Sequence, residues 1–175
     1  MSHKQSLQLN RAEAIANKII DVLSPHCKKI EAAGSIRRKR PTVHDIDIVA
    51  WPSDRAAIDA ILIERCSGII SSGSQITTAA LRDGTHLDVF YTMDERTIGD
   101  MFEPRVFPPN WGSVLLCRTG SLRHNIYLIE HAKRLGLQWA PVDGVMRGKE
   151  CIAAESEEEI FKVLQLDFVP PEHRN

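Results

Sequence analysis

The chain has 175 residues, 43% of them hydrophobic and 26% charged, and a formal net charge of −1. That is the composition of a soluble globular protein, with room for one ordinary domain or two small ones. No apolar run approaches the roughly 18 residues of a membrane span, so no membrane partner is expected. Near-neutral charge also argues against a generally cationic nucleic-acid binder, and any such binding has to rest on local patches. The start, "MSHKQSLQLNRAEAIANK", lacks the apolar segment of a signal peptide. Cys27, Cys66, Cys117 and Cys151 show no CxxC pairing and read as free thiols in a reducing, cytoplasmic compartment.

The elements alternate between helix and strand. Leu9, Ala12, Ile15, Ala16, Ile19, Ile20 and Leu23 recur at helical spacing, which predicts an amphipathic helix over 9–24 stopped by Pro25. "KKIEAAG" and "HDIDIVAW" read as strands, with "GSIRRKRPT" between them. Residues 54–66 read as a helix. "SGSQITTAALRDGTHLDVFY" predicts a hairpin about Arg82-Asp83-Gly84, where glycine can supply a positive φ. Pro104, Pro108 and Pro109 mark a boundary, giving domains over 1–100 and 101–175. Beyond it, "NWGSVLLCRTG" and "SLRHNIYLIEHAKRLG" read as helices, the second with Ile126, Ile129 and Ala132 on one face and Gly136 as its stop. "ESEEEIFKVLQL" carries a capping box, Ser156 with Glu159. The acidic run over 155–161 reads as a solvated face, and prolines hold "VPPEHRN" extended.

Two aspartates interrupt the apolar strand "VHDIDIVAW". Alternation puts Asp45 and Asp47 on one face and Ile46 and Ile48 on the other. Like charges roughly 7 Å apart on a strand are unfavourable unless water or a cation reaches them. Asp88, in "THLDVFY", meets the pair if the hairpin lies beside this strand. Three carboxylates without His or Cys ligand pairs suit a hard cation such as Mg²⁺. Before them, Gly34 and Ser35 follow a strand and lead into Arg37 and Arg38. A glycine turn lets backbone N–H groups approach a phosphate, while a serine hydroxyl and an arginine fork add to the grip. Phosphate grips joined to metal-binding carboxylates point to metal-assisted phosphoryl or nucleotidyl transfer.

"GSIRR", "DIDIV" and "LDVF" together resemble the signature of the nucleotidyltransferase superfamily. "TGSLRHN" at 119–125 resembles the thumb motif of family X DNA polymerases, the polymerase beta-like group, and the segment from "RGKECIAAE" through the double-proline tail resembles the end of bacterial members. The likeness spans roughly residues 28–175. It implies an α+β fold: a palm over 1–100, with a mixed, mainly antiparallel sheet and flanking helices, and a small α+β thumb over 101–175. The expected protein resembles the smallest viral members, palm and thumb alone, without the lyase and DNA-gripping domains of many relatives.

The resemblance implies a template-directed DNA polymerase that adds a dNTP to a primer 3′-hydroxyl with two Mg²⁺ ions, Mn²⁺ being an alternative. Asp45 and Asp47 would bridge both ions, and Asp88 would hold one and help take the hydroxyl proton. Gly34, Ser35 and Arg38 would grip the triphosphate, with His44 just before the first aspartate. Cys117, Arg118, Gly120 and Ser121 would lie beside the sugar, and Asn125 would bond the minor-groove edge of the base. Arg37, Lys39, Arg40 and Arg123 would contact DNA. The expected partners are primer–template or gapped DNA, the expected state is a monomer, and the expected role is short-gap filling in base excision or end-joining repair. Cys117 and Arg118 stand where members often carry two aromatics, and Ile129 where an arginine is common. These departures bear on sugar selection and fidelity. The alternative is a template-independent or small-molecule nucleotidyltransferase, which shares the aspartates and the Gly-Ser turn but does not need "TGSLRHN".

Overall fold

The computed structural model describes residues 6–99 and 102–174. Residues 1–5, 100, 101 and 175 lie outside the described residues, and with them the expected boundary at 100/101, the very start of the chain and the last residue of the tail. The chain divides into two compact units, Met1–Tyr91 and Thr92–Asn175.

In the first unit, the short strand β1 (Leu7–Gln8) leads into helix α1 (Leu9–Leu23). A 3₁₀ turn over Ser24–His26, with Pro25 in its first turn, ends the helix. Strand β2 (Cys27–Ala32), the single helical turn α2 (Gly34–Arg37), β3 (Thr42–Val43) and β4 (Asp45–Pro52) follow. Helix α3 (Arg55–Arg65) is capped by Asp54, whose carboxylate accepts from the Ala57 N–H at 3.0 Å. Strands β5 (Gly68–Ser72), β6 (Ile76–Ala80) and β7 (His86–Tyr91) complete a five-stranded sheet of order β2-β4-β7-β6-β5. Only β4 and β7 pair in parallel; the other neighbours are antiparallel. The hairpin turns at Gly84, whose φ of +84° suits a residue without Cβ. Ile46, Ile48 and Ala50 of β4 and Leu87 and Val89 of β7 are fully buried in one cluster with Ala12 and Ala16 of α1 and Ile58 of α3. This core fixes which face of β4 turns inward. The aspartates take the other.

The second unit begins with a ribbon of β8 (Arg96–Ile98) and β9 (Arg105–Phe107). Helices α4 (Trp111–Thr119) and α5 (Leu122–Arg134) follow, then a three-stranded antiparallel sheet of β10 (Gln138–Ala140), β11 (Gly144–Arg147) and β12 (Glu150–Ala153), and helix α6 (Glu157–Val163). Its core joins Leu116, Leu128, Trp139, Val145, Ile160 and Phe161.

Three sequence expectations are corrected here. Ile126 is 47% exposed, and the buried stripe of α5 is His124, Leu128 and Ala132. That stripe advances four residues at a time, and one of its members is a histidine that an apolar pattern passes over. The acidic run is a solvated face only in part, at Glu155 and Glu158. Glu157 is buried against Arg174, 2.6 Å from its guanidinium, and Glu159 accepts from the Ala154 and Glu155 N–H groups at 3.3 and 3.2 Å. The tail is not simply extended either. A 3₁₀ turn over Pro171–His173 delivers Arg174 into the interior, where its Nε also donates to the Val169 carbonyl at 2.8 Å.

Candidate functional site

The parallel pairing of β4 with β7 sets Asp47 directly beside Asp88, and Asp45 lies two residues earlier on the same face. All three are half-buried, whereas Ile46, Ile48 and Leu87 between them are sealed in the core. Antiparallel pairing with β6 places Thr78 on the far side of Asp88, and the Thr78 hydroxyl donates to Asp88 Oδ1 at 2.6 Å.

The turn after β2 is tied to the same place. The Ala33 N–H donates to the Asp47 carbonyl at 2.8 Å, which brings Gly34 and Ser35 beside that aspartate. Gly34 has φ of +53°, and a Cβ there would overlap the Asp47 carboxylate. Two features thus demand glycine: a backbone conformation disfavoured for L side chains and a carboxylate that fills the missing Cβ's space. Burial, reinforced by the charge of Arg40, pulls the Arg38 guanidinium below its ordinary value, and the Asp47 charge opposes this. The backbone N–H of Arg38 donates to the Gly34 carbonyl at 3.2 Å and that of Arg40 to the Ser35 carbonyl at 3.0 Å, closing the turn. Asp45, Asp47, Asp88, Gly34, Ser35 and Arg38 are therefore brought together. Of the other basic candidates, Arg37 is turned to Glu31 at 2.7 Å and Lys39 to Glu13 at 2.7 Å. His44 is exposed at the entry to β4.

Within the second unit, Cys117, Arg118, Gly120, Ser121 and Asn125 gather at the α4–α5 junction. The Gly120–Ser121 peptide is cis, and Ser121 caps α5 by accepting from the His124 N–H at 3.3 Å. The Asn125 amide donates to the Cys117 carbonyl at 2.8 Å and approaches its Sγ at 3.7 Å. Arg118 and Arg123 are exposed. Burial pushes the Cys27 thiol up to about 11 and raises the other three as well, which disfavours a thiolate nucleophile.

Among the described residues, no three His, Cys, Asp or Glu side chains converge closely enough to hold a metal ion. The reason lies in the side chains: Asp88 is drawn to Thr78 and Asp47 lies against Gly34. The backbone register and the donor chemistry nevertheless fit a hard divalent cation, because three carboxylates occupy adjacent positions on one face of the sheet. Thr78 is a site residue that the sequence reading lacks. Its signal was the hairpin register set by Gly84. His86, two residues before Asp88 on the same face, is another, marked by the strand's period of two.

No described helix is long and apolar enough to cross a membrane. Residues 114–175 match the family described as DNA polymerase beta thumb. No curated protein matches the sequence. Among solved structures, the chain is similar to Leishmania infantum polymerase beta in a ternary primer–template complex, with a TM-score of 0.72 and 16% identity over 98% of this chain and 77% of that one. It is likewise similar to the same enzyme in a ternary gap complex, with a TM-score of 0.72 and 15% identity over 98% of this chain and 71% of that one.

Proposed function

We propose that this chain, whose residues 114–175 match the DNA polymerase beta thumb family and whose fold is similar to that of polymerase beta, is a family X template-directed DNA polymerase that fills short gaps in repair. The observation that carries the reading is the register of Asp47 with Asp88, with Asp45 on the same face and the Gly34–Ser35 turn hydrogen-bonded beside them. Asp45 and Asp47 would hold two divalent cations, Mg²⁺ in the first instance, and Asp88 would hold one of them. When bound, such ions supply the charge that activates a primer 3′-oxygen and balances a triphosphate. Asp88, with one oxygen already accepting from Thr78, would take the primer hydroxyl's proton on the other. The Ser35 hydroxyl and the Arg38 guanidinium would grip the phosphates of a dNTP, and Gly34 would let the backbone come close.

In the second unit, Gly120 and Ser121 would lie beside the nucleotide sugar, and Asn125 would offer its amide to the minor-groove edge of the base, exchanging its bond to the Cys117 carbonyl. The small Cys117 would crowd the sugar less than an aromatic side chain does. Arg37, Lys39, Arg40 and Arg123 would contact the DNA backbone, giving an affinity that falls steeply with salt. Primer–template and gapped DNA, the substrates in the two similar structures, are the partners proposed for this chain.

The test is single-nucleotide extension of a labelled primer on open and one-nucleotide-gapped templates at low salt with Mg²⁺, each dNTP and rNTP supplied separately. Insertion of the templated base supports the reading, and comparable use of the two sugars supports the role given to Cys117. Insertion regardless of template replaces it with terminal transfer. No insertion, with nucleotide still bound, removes DNA as the acceptor.

A further inference from the structure

The carboxylate face carries one more side chain with lone pairs. His86 precedes Asp88 by two residues on β7, hence shares its face, and its partner across the parallel pairing is Asp45. The face is a grid of two rows: Asp45, His86 and Ala80 in one, Asp47, Asp88 and Thr78 in the other. Neighbouring strands lie roughly 4.8 Å apart, so the side chains of Asp45 and His86 can reach one ion. The rows differ in their third member. Thr78 gives Asp88 a hydroxyl donor at 2.6 Å, whereas Ala80 presents only a methyl group to His86.

We infer that His86 is a metal-donor residue which, together with Asp45, shifts the preference of this face from Mg²⁺ toward Mn²⁺ or Co²⁺. The inference rests on the carboxylate metal site proposed above. Carboxylates alone form a hard oxygen set suited to Mg²⁺. An imidazole nitrogen is a softer donor, and divalent Mn and Co accept it more readily than Mg does. A neutral imidazole also adds a ligand without adding a fourth negative charge to a face that already carries three.

Electron paramagnetic resonance of Mn²⁺ bound to the whole chain tests this directly, with Mn²⁺ alone and with dTTP, whose base has no free ring-nitrogen donor. The expected result is a ¹⁴N hyperfine coupling on the bound Mn²⁺ that disappears in His86→Gln. Mn²⁺ affinity should fall roughly tenfold or more in that variant, the scale set by losing a group that supports a metal site. Mg²⁺ affinity should scarcely change, so Mg²⁺ should displace Mn²⁺ from the variant at a correspondingly lower concentration. His86→Ala, which repeats the small neighbour Ala80, serves if the glutamine variant does not fold. Mn²⁺ that binds with no ¹⁴N coupling, yet is lost in Asp47→Asn, overturns the role of His86 and leaves the carboxylate site standing. A coupling that persists in both His86 variants also overturns it. Failure of the wild-type chain to bind Mn²⁺ under either condition overturns both.

Discussion

In the first unit, Asp45, Asp47 and Asp88 stand half-buried along one accessible face of a sheet; in the second, Glu157 is sealed in the interior with the Arg174 guanidinium 2.6 Å away. The sequence shows both as clusters of acids near apolar residues. The difference is how far water and a ligand can reach them. A carboxylate that serves the fold brings its own cation, because a lone buried charge costs several kcal/mol. The three aspartates lie along an open face that water and a ligand can reach, where the Arg38 and Asp47 charges act on each other and Asp88 accepts from the Thr78 hydroxyl. Acids arranged for stability and acids arranged for chemistry are thus separated by accessibility more than by composition.

The sharpest way to break this contrast is to remove Glu157. Glu157→Ala would leave Arg174 buried beside Phe161 and Phe168 without its carboxylate, and should destabilise the second unit by about 3–5 kcal/mol in denaturant unfolding. A change near zero would mean that this pair is not the internal compensation described. The converse variant, Asp88→Ala, should leave the melting temperature close to that of wild type while primer extension drops by about 10²–10³-fold, the scale of a removed transition-state contact. Equal losses of stability and activity would erase the distinction between the two kinds of acid.

A smaller effect comes from His124. It is 8% exposed, and burial, aided by the nearby Arg174 charge and opposed by Glu157, lowers it from 6.5 to about 4. The unfolded chain therefore takes up this proton first as pH falls. The stability linked to neutral His124 is fully present above pH 6.5 and is lost between there and about pH 4, by up to about 3 kcal/mol. His124→Phe should flatten the stability profile across that window in unfolding titrations.

What could be read from the sequence follows the same line. Strand β4 was legible because its two faces carry opposite chemistry at a strict period of two, so Ile46 and Ile48 and the aspartates sort themselves. The Gly34–Ser35 turn was legible because a strand ran directly into it. Strand β5 was not, since Gly68, Ser71 and Ser72 give an edge strand no apolar alternation to detect. The three strands after α5 were missed for a related reason: each is only three or four residues long. Glu157 could not be read as buried because its partner lies 17 residues further on, beyond any local charge rule. Ile126 was misplaced because the inward stripe of α5 includes His124, which packs 5.9 Å from the Phe161 ring as an aromatic and not as a charge.

The start of α4 has a consequence for how the protein is made. Its first N–H groups are not capped by a side chain. Gly112 donates to the Glu155 carbonyl at 3.1 Å and Ser113 to the Ala154 carbonyl at 2.9 Å, and a Cβ on Gly112 would collide with the Ser156 backbone. A helix that begins at Trp111 is thus finished only by residues more than forty positions downstream. On a ribosome, the sheet of the first unit is complete once Tyr91 has emerged, and it can fold while synthesis continues. The second unit has no such early stage. The leading amide groups of its first helix meet their acceptors only when Ala154 and Glu155, just past β12, have been translated.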